Sequence, residues 1–241
     1  MTKRGQVTLF IILGLALVII IVVLIASRGN IKTIFSDENP INQIEDCLRK
    51  PLEEGIKLIS EQGGSINPEN YYLFRDKKIE YLCYTEESYR GCIMQKPFLL
   101  QSFEQELKKY VELQFNRCFT TAKKDLENKG YTIENKEPVI DVHIDLREIK
   151  GIAEVDLIIS RQNVQQYNEI IIKKKSSLYD LLIISSSLLN WEARYGDSEI
   201  LPYLLYYPNL NIEKKKQGDD TTIYIVGSKE TGEQFMFASK S

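Results

Sequence analysis

The segment Asp141–Asp145 holds the side chains best suited to chemistry, two carboxylates and the single histidine of the chain. Because side chains alternate along a strand, these polar groups share one face and could bind a divalent metal or act as an acid–base pair. The same alternation is typical of a half-buried strand, with the apolar residues turned inward: Val142, Ile144 and Leu146. We expect a solvated polar face and therefore predict no metal or cofactor, with three weak candidate ligands: Asp141, His143 and Asp145.

Other sequence signatures of catalysis are missing. The chain has no glycine-rich phosphate loop, no Gly-x-Ser-x-Gly turn and no His-Glu-x-x-His motif. We predict that the protein is not an enzyme. The tyrosine pairs Tyr71-Tyr72 and Tyr206-Tyr207 either pack in the core or form a surface that binds sugar or protein.

Four cysteines lie between positions 47 and 118. A hairpin over residues 79–93 would bring Cys83 opposite Cys92, and the other two cysteines each fall on the apolar stripe of a predicted helix. We predict the disulfides Cys83–Cys92 and Cys47–Cys118, which imply an oxidising compartment outside the cell membrane. The alternatives are four buried free thiols in a cytosolic domain and a zinc site, which the absence of any Cys-x2-Cys pair disfavours.

The positions of the cysteines, the tyrosine pairs and the 141–145 cluster depend on the surrounding helices and strands. The first half of the chain is predicted to be mainly helical. Apolar residues at helical spacing predict a helix over 41–62, kinked or split at Pro51 and ended by Gly63. Residues 71–74 and 78–84 are predicted to be extended. A second helix is predicted to begin at Ser102, which with Gln105 forms a capping box, and to end at Gly130.

The second half alternates in a way that indicates an antiparallel sheet. Strands are predicted over 139–146, 152–160, 169–173, 210–214, 221–226 and 234–238. A helix capped by Ser177 should run to about Tyr195, while the type of segment 200–207 stays open. The expected class is α+β, with a helical, cysteine-bearing part (41–130) and a sheet part (131–241) packed as one domain.

Charge excludes nucleic acid as an expected partner. The formal net charge is −3, and removing Lys3 and Arg4 leaves −5, so no global basic field exists. The basic runs Lys173–Lys175 and Lys214–Lys216 each end a predicted strand. They are expected to be solvated edge lysines that deter aggregation, the alternative being contact with anionic headgroups or glycans.

The N-terminal region predicts one transmembrane helix. Residues 7–26 are apolar except Thr8, and about 20 helical residues span a hydrocarbon core of about 30 Å. We predict a basic leader (1–6), a membrane helix (7–27) and a linker (28–40). A cleaved secretory signal is the alternative, although the stretch is long for one and ends without a good cleavage site.

The segment Lys3-Arg4-Gly5-Gln6-Val7-Thr8 resembles the class III signal peptide of archaeal type IV pilin-like proteins. The resemblance implies cleavage between Gly5 and Gln6 by a prepilin-type peptidase on the cytoplasmic face. Phe10 departs from that family, which frequently has a glutamate at the fifth mature position. This glutamate is thought to aid subunit docking, so the departure bears on filament assembly more than on cleavage.

The rest of the chain resembles an uncharacterised group of membrane-anchored surface proteins from small-genome archaea. The similarity rests on a cysteine in each of the first two helices, on the helix end Gln62-Gly63-Gly64 and on the terminal segment Phe235–Ala238. It implies no known activity.

Together these features predict a single-pass cell-membrane protein whose domain lies outside the cell. Its expected role is structural, adhesive or partner-binding. Its expected partners are the lipid bilayer, a prepilin-type peptidase and other pilin-like or envelope proteins. The alternative is an anchored solute-binding module or an enzyme of unknown chemistry.

Overall fold

The computed structural model describes residues 13–22, 39–87 and 90–241. The chain forms two compact units, Met1–Pro40 and Ile41–Ser241. In the first unit, residues 13–22 form helix α1, whose side chains are all exposed. Within these described ranges, no helix is both long and apolar enough to cross a bilayer. The predicted leader, with Gly5 and Gln6, and much of the predicted membrane helix (7–27) and linker (28–40) lie outside the described residues.

The second unit mixes helices and strands, as the predicted α+β class requires. The helices are α2 (Pro40–Glu61), α3 (Leu99–Asn128), α4 (Leu178–Tyr195) and α5 (Leu201–Tyr206). The first strands are β1 (Tyr71–Phe74), β2 (Lys77–Tyr84), β3 (Ile93–Met94), β4 (Thr132–Glu134) and β5 (Val139–Asp145). The later strands are β6 (Glu148–Ser160), β7 (Val164–Lys175), β8 (Leu210–Lys216), β9 (Thr221–Ser228) and β10 (Gln234–Lys240).

Helix α3 provides the central apolar stripe of the unit. Its buried residues recur every three or four positions and face both sheets: Leu99, Phe103, Leu107, Val111, Phe115, Phe119, Ala122 and Leu126. The predicted start at Ser102 is wrong, because the helix begins at Leu99 after Phe98, which makes no side-chain cap. Burial of Leu99 extends the stripe by one turn and outweighs the local capping signal.

Helix α2 is not split at Pro51. It is one element from Pro40 to Glu61, and Pro51 lies on its buried face. Leu48 and Leu52 pack against Gly151 of β6, where a Cβ atom would lie 3.1 Å from Leu52. The apolar face therefore keeps α2 on the sheet despite the missing backbone donor.

Helix α4 is capped by a distant residue. The predicted Ser177 side-chain cap does not form. Instead the Ser177 amide donates to Oε2 of Glu233 at 2.6 Å, and the Leu178 amide donates to Oγ of Ser176 at 3.1 Å. A carboxylate suits this position because a helix N-terminus carries partial positive charge.

The first sheet has the order β1-β2-β10-β9-β8, with β3 beside β2. Strand β10 pairs antiparallel with β9 and parallel with β2. Antiparallel pairing predominates, as the predicted antiparallel sheet requires, and the pairing of β10 with β2 is a parallel exception that the sequence did not indicate. Strand β2 lies in the predicted helical part (41–130), and β10 lies in the predicted sheet part (131–241). The two parts therefore share one sheet.

The second sheet is antiparallel and built around the long strand β6. Strands β4 and β5 pair with β6 on one side, and β7 pairs with it on the other. The register shifts between Glu154 and Leu157, where Asp156 has a φ of +39°. Leu146, predicted to face inward, is 61% exposed because it lies in the turn between β5 and β6.

Both predicted disulfides are present. Cys47–Cys118 joins α2 to α3, with its Cα atoms 5.4 Å apart. Cys83–Cys92 joins β2 to the segment before β3, with its Cα atoms 5.3 Å apart. The Cys92 sulfur also lies 3.6 Å from Oγ of Ser239 on β10.

Removal of the two disulfides should have unequal effects. Cys47→Ala/Cys118→Ala opens a loop with a sequence separation of 71, and Cys83→Ala/Cys92→Ala one with a separation of 9. By chain entropy the losses in unfolding free energy should be about 4 and about 2.5 kcal/mol. Denaturant unfolding of the full chain in detergent, followed by circular dichroism, measures both values. A larger loss for the short loop would contradict the expectation.

A buried carboxylate joins α4 to the end of the chain. Glu192 is 2% exposed and accepts hydrogen bonds from the hydroxyls of Tyr224, Ser239 and Ser241. Burial, together with the adjacent Glu192, raises the pKa of Tyr224. The buried hydroxyls therefore depend on Glu192 as their acceptor.

Glu192→Ala should lower the unfolding free energy by about 3 kcal/mol, since it removes the acceptor of buried donors. Glu192→Gln keeps one acceptor oxygen of the same reach and should cost about 1 kcal/mol. Denaturant unfolding of both variants provides the comparison. Equal losses for the two would show that the hydroxyl network contributes nothing measurable.

Candidate binding surface

The polar face of β5 is solvated and partnered by lysines. Asp141 lies 3.5 Å from Nζ of Lys108 and 3.4 Å from Nε2 of His143, and Asp145 lies 2.6 Å from Nζ of Lys150. The hydrogen bond from Lys150 lowers the pKa of Asp145. Over the described residues, no group of three or more histidine, cysteine or acidic side chains is arranged to hold a metal. The structure thus brings these side chains together as surface ion pairs.

An acidic hollow lies where the register of β6 shifts. Its volume is about 370 Å³, and its lining includes Glu137, Glu154, Asp156 and Glu169. Lys136 donates to Asp156 at 2.6 Å. The sequence did not predict this hollow, because its residues come from three separated segments that only the register brings together.

The outer face of α4 carries a stripe of exposed apolar and aromatic side chains. The exposed residues Ile183, Trp191 and Tyr195 lie on one face together with the half-buried Ser187, because the four follow one another at four-residue spacing. The rings of Trp191 and Tyr195 stack with their centroids 4.9 Å apart. About half of Trp191 and 59% of Tyr195 are exposed.

Helix α5 extends this stripe. Oγ of Ser187 lies 2.7 Å from the hydroxyl of Tyr203, which fixes the short helix against α4. None of the residues of α5 is buried, and Leu205 and Tyr206 are 73% and 82% exposed. A cavity of about 330 Å³ is lined by Ile183 of α4, by Tyr206 at the end of α5 and by Tyr207 directly after it.

We define the aromatic surface as this set of exposed side chains on α4, on α5 and directly after α5: Ile183, Trp191, Tyr195, Leu205, Tyr206 and Tyr207. Of the two interpretations of the Tyr206-Tyr207 pair, core packing is wrong and a surface position is right. The other pair behaves differently. Tyr71 lies at the sheet edge under the ammonium of Lys78, 4.5 Å from its ring centre, and Tyr72 packs partly into a small cluster on the first sheet.

A few charged side chains border the aromatic surface, among them Lys229, whose Nζ donates to the carbonyl oxygen of Pro208 at 2.8 Å. Arg194 lies over the ring of Tyr195 at 5.5 Å, and Asp180 borders the cavity. Tryptophan and tyrosine supply large contact areas at low entropic cost, and they are enriched at the centres of protein interfaces, where charged residues are depleted. The composition of this surface therefore fits a protein partner.

No protein family, curated protein or solved structure matches the chain.

Substitutions on the aromatic surface should leave the fold intact. Leu205→Ser and Tyr206→Ser remove side chains that pack little, so each should change the unfolding free energy by less than about 0.5 kcal/mol. Tyr203→Ala is the matched contrast, because it removes the hydrogen bond to Ser187 and partly buried area, and it should cost about 1 to 2 kcal/mol. Denaturant unfolding measures all three variants. A large loss at Tyr206 would show that its ring serves the fold.

Proposed function

We propose that the protein is a membrane-anchored extracellular surface protein that binds a partner protein through the aromatic surface. Its role is structural or adhesive. The observation that carries the proposal is the exposure of Trp191, Leu205 and Tyr206 on adjoining elements. Exposure of such an apolar patch to water is energetically unfavourable, and a partner that covers the patch removes this cost.

The exposed apolar side chains of α1 support the anchor. Over residues 13–22 the large hydrophobic side chains are between 46% and 61% exposed. These residues lie inside the apolar stretch 7–26, whose length matches a bilayer. A lipid environment is the simplest way to cover them.

The two disulfides support an external location. Disulfides persist in oxidising compartments and are rare in the reducing cytosol. All four cysteines of the chain are paired. With the basic residues Lys3 and Arg4 on the cytoplasmic side of the anchor, the domain would face outward.

Pilin-like processing is the second part of the proposal. The prepilin-type peptidase would cut between Gly5 and Gln6, and the new amine would begin the mature chain. Mass spectrometry of protein purified from membranes of its native host should find Gln6 at the N-terminus. An intact Met1 or Thr2 would contradict the processing step. It would not bear on partner binding, which photo-crosslinking tests separately.

Photo-crosslinking tests the binding role directly. Benzoylphenylalanine placed at Tyr206 should give a discrete adduct with one envelope protein, identified by mass spectrometry, on intact cells of the host. Leu73 is the matched control position, since it is 60% exposed but lies on β1. The adduct should disappear with Trp191→Ala, which removes the neighbouring ring.

Two outcomes would overturn the binding role: no adduct at Tyr206, or the same adducts from Leu73. Adducts with carbohydrate alone would contradict a protein partner and would show that the aromatic surface binds a glycan. Protease treatment of intact cells gives an independent check on location, because an external domain is cleaved while a cytoplasmic marker survives.

A further inference from the structure

Strand β7 is a long open edge of the second sheet. It runs from Val164 to Lys175 and pairs along one side with β6. Along its other side, no described strand is hydrogen-bonded to it. A long edge of unpaired backbone groups is a template for another strand.

The exposed face of β7 carries two like-charge conflicts with β6. Glu169 lies directly opposite Glu154, and Lys173 lies directly opposite Lys150. Lys150 is engaged by Asp145 and Glu148. Neither Glu169 nor Lys173 has an ion-pair partner among the residues that the structure describes. Like charges directly opposite one another in a sheet are destabilising.

The sequence of this face is self-complementary about its centre. Glu169, Ile171 and Lys173 share the exposed face, while Ile170 and Ile172 are buried. If β7 pairs antiparallel with a second β7 about Ile171, each Glu169 meets the Lys173 of the other copy. A two-fold interface requires just this kind of match, in which residue i meets j and j meets i.

We propose that two copies of the chain form a dimer by antiparallel pairing of their β7 strands, with Ile171 on the two-fold axis. The pairing joins the two sheets edge to edge and gives each unpartnered charge an opposite charge. Ile171, which is 44% exposed, then packs against its own counterpart.

Charge also selects the register. Moving the axis by one residue to Ile172 places Ile171 opposite Lys173, and moving it to Ile170 places Glu169 opposite Ile171. An axis at Lys173 sets two lysines against each other. The register centred on Ile171 is the one among these that satisfies both Glu169 and Lys173.

Site-specific crosslinking of the full chain in detergent tests the geometry. Ile171→Cys should form a disulfide-linked dimer on mild oxidation with copper–phenanthroline, because position 171 faces itself across the axis. Val164→Cys is the matched control, being 73% exposed on the same strand. Its two copies would lie about 46 Å apart in the proposed register, so it should not crosslink.

Charge reversal tests the register. In the Ile171→Cys background, Glu169→Lys or Lys173→Glu should weaken dimerisation about tenfold, measured from the concentration dependence of crosslinking. Each single change also removes a like-charge pair with β6, so the thermal stability of the domain should stay the same or rise. The double variant Glu169→Lys/Lys173→Glu should restore crosslinking.

The readouts separate pairing from folding, since the single variants are expected to be at least as stable as the wild type. Absence of crosslinking at position 171, or equal crosslinking at 171 and 164, would overturn the proposal. So would single reversals without effect, or a double variant that stays as weak as the singles. These results do not depend on the partner-binding role of the aromatic surface.

Discussion

The position of β10 between β9 and β2 is the constraint on which the fold depends. The last strand of the chain must reach a strand from its first half, with Ala238 pairing with Tyr81. Such a contact carries a high loop-closure cost. Burial of Phe235 and Phe237 under α3 and α4 offsets this cost. The Cys83–Cys92 bond ties β2 to the segment before β3 and so helps to hold β2 in place for pairing with β10. Without β10 the first sheet would separate into a three-stranded piece, β1 to β3, and the hairpin of β8 and β9.

The elements that could be predicted are those whose signals are local. Helical spacing indicated α2 and α3, alternation indicated β5 and β6, and helix and hairpin positions together indicated the cysteine pairs. The misses come from distant partners. Glu233 caps α4 from 56 residues away, and no local pattern records that β10 pairs parallel with β2. Leu146 continued the alternation of β5 but lies in a turn.

The candidate surface could be predicted only as one of two alternatives. Tyr206 and Tyr207 lie in a short segment bordered by Pro202 and Pro208, which gives too few residues for periodicity to assign a face. Their exposure follows from how Ser187 holds α5 on α4. The polar face of β5 was easier to predict than the aromatic surface, because strict alternation over seven residues is enough to assign each side chain to one of the two faces.

One contact of α3 sets the number of neighbours that the second sheet can have. The amide of Ile144 on β5 donates to Oε1 of Glu104 at 2.7 Å, and α3 lies along that strand. A helix side chain thus occupies a backbone donor that another strand would need, which blocks growth of the sheet on the β5 side. The open edge of β7 is then the long edge of this sheet that remains for pairing among the described strands. A two-fold pairing there would use that edge in both copies, which favours a closed pair over a fibre.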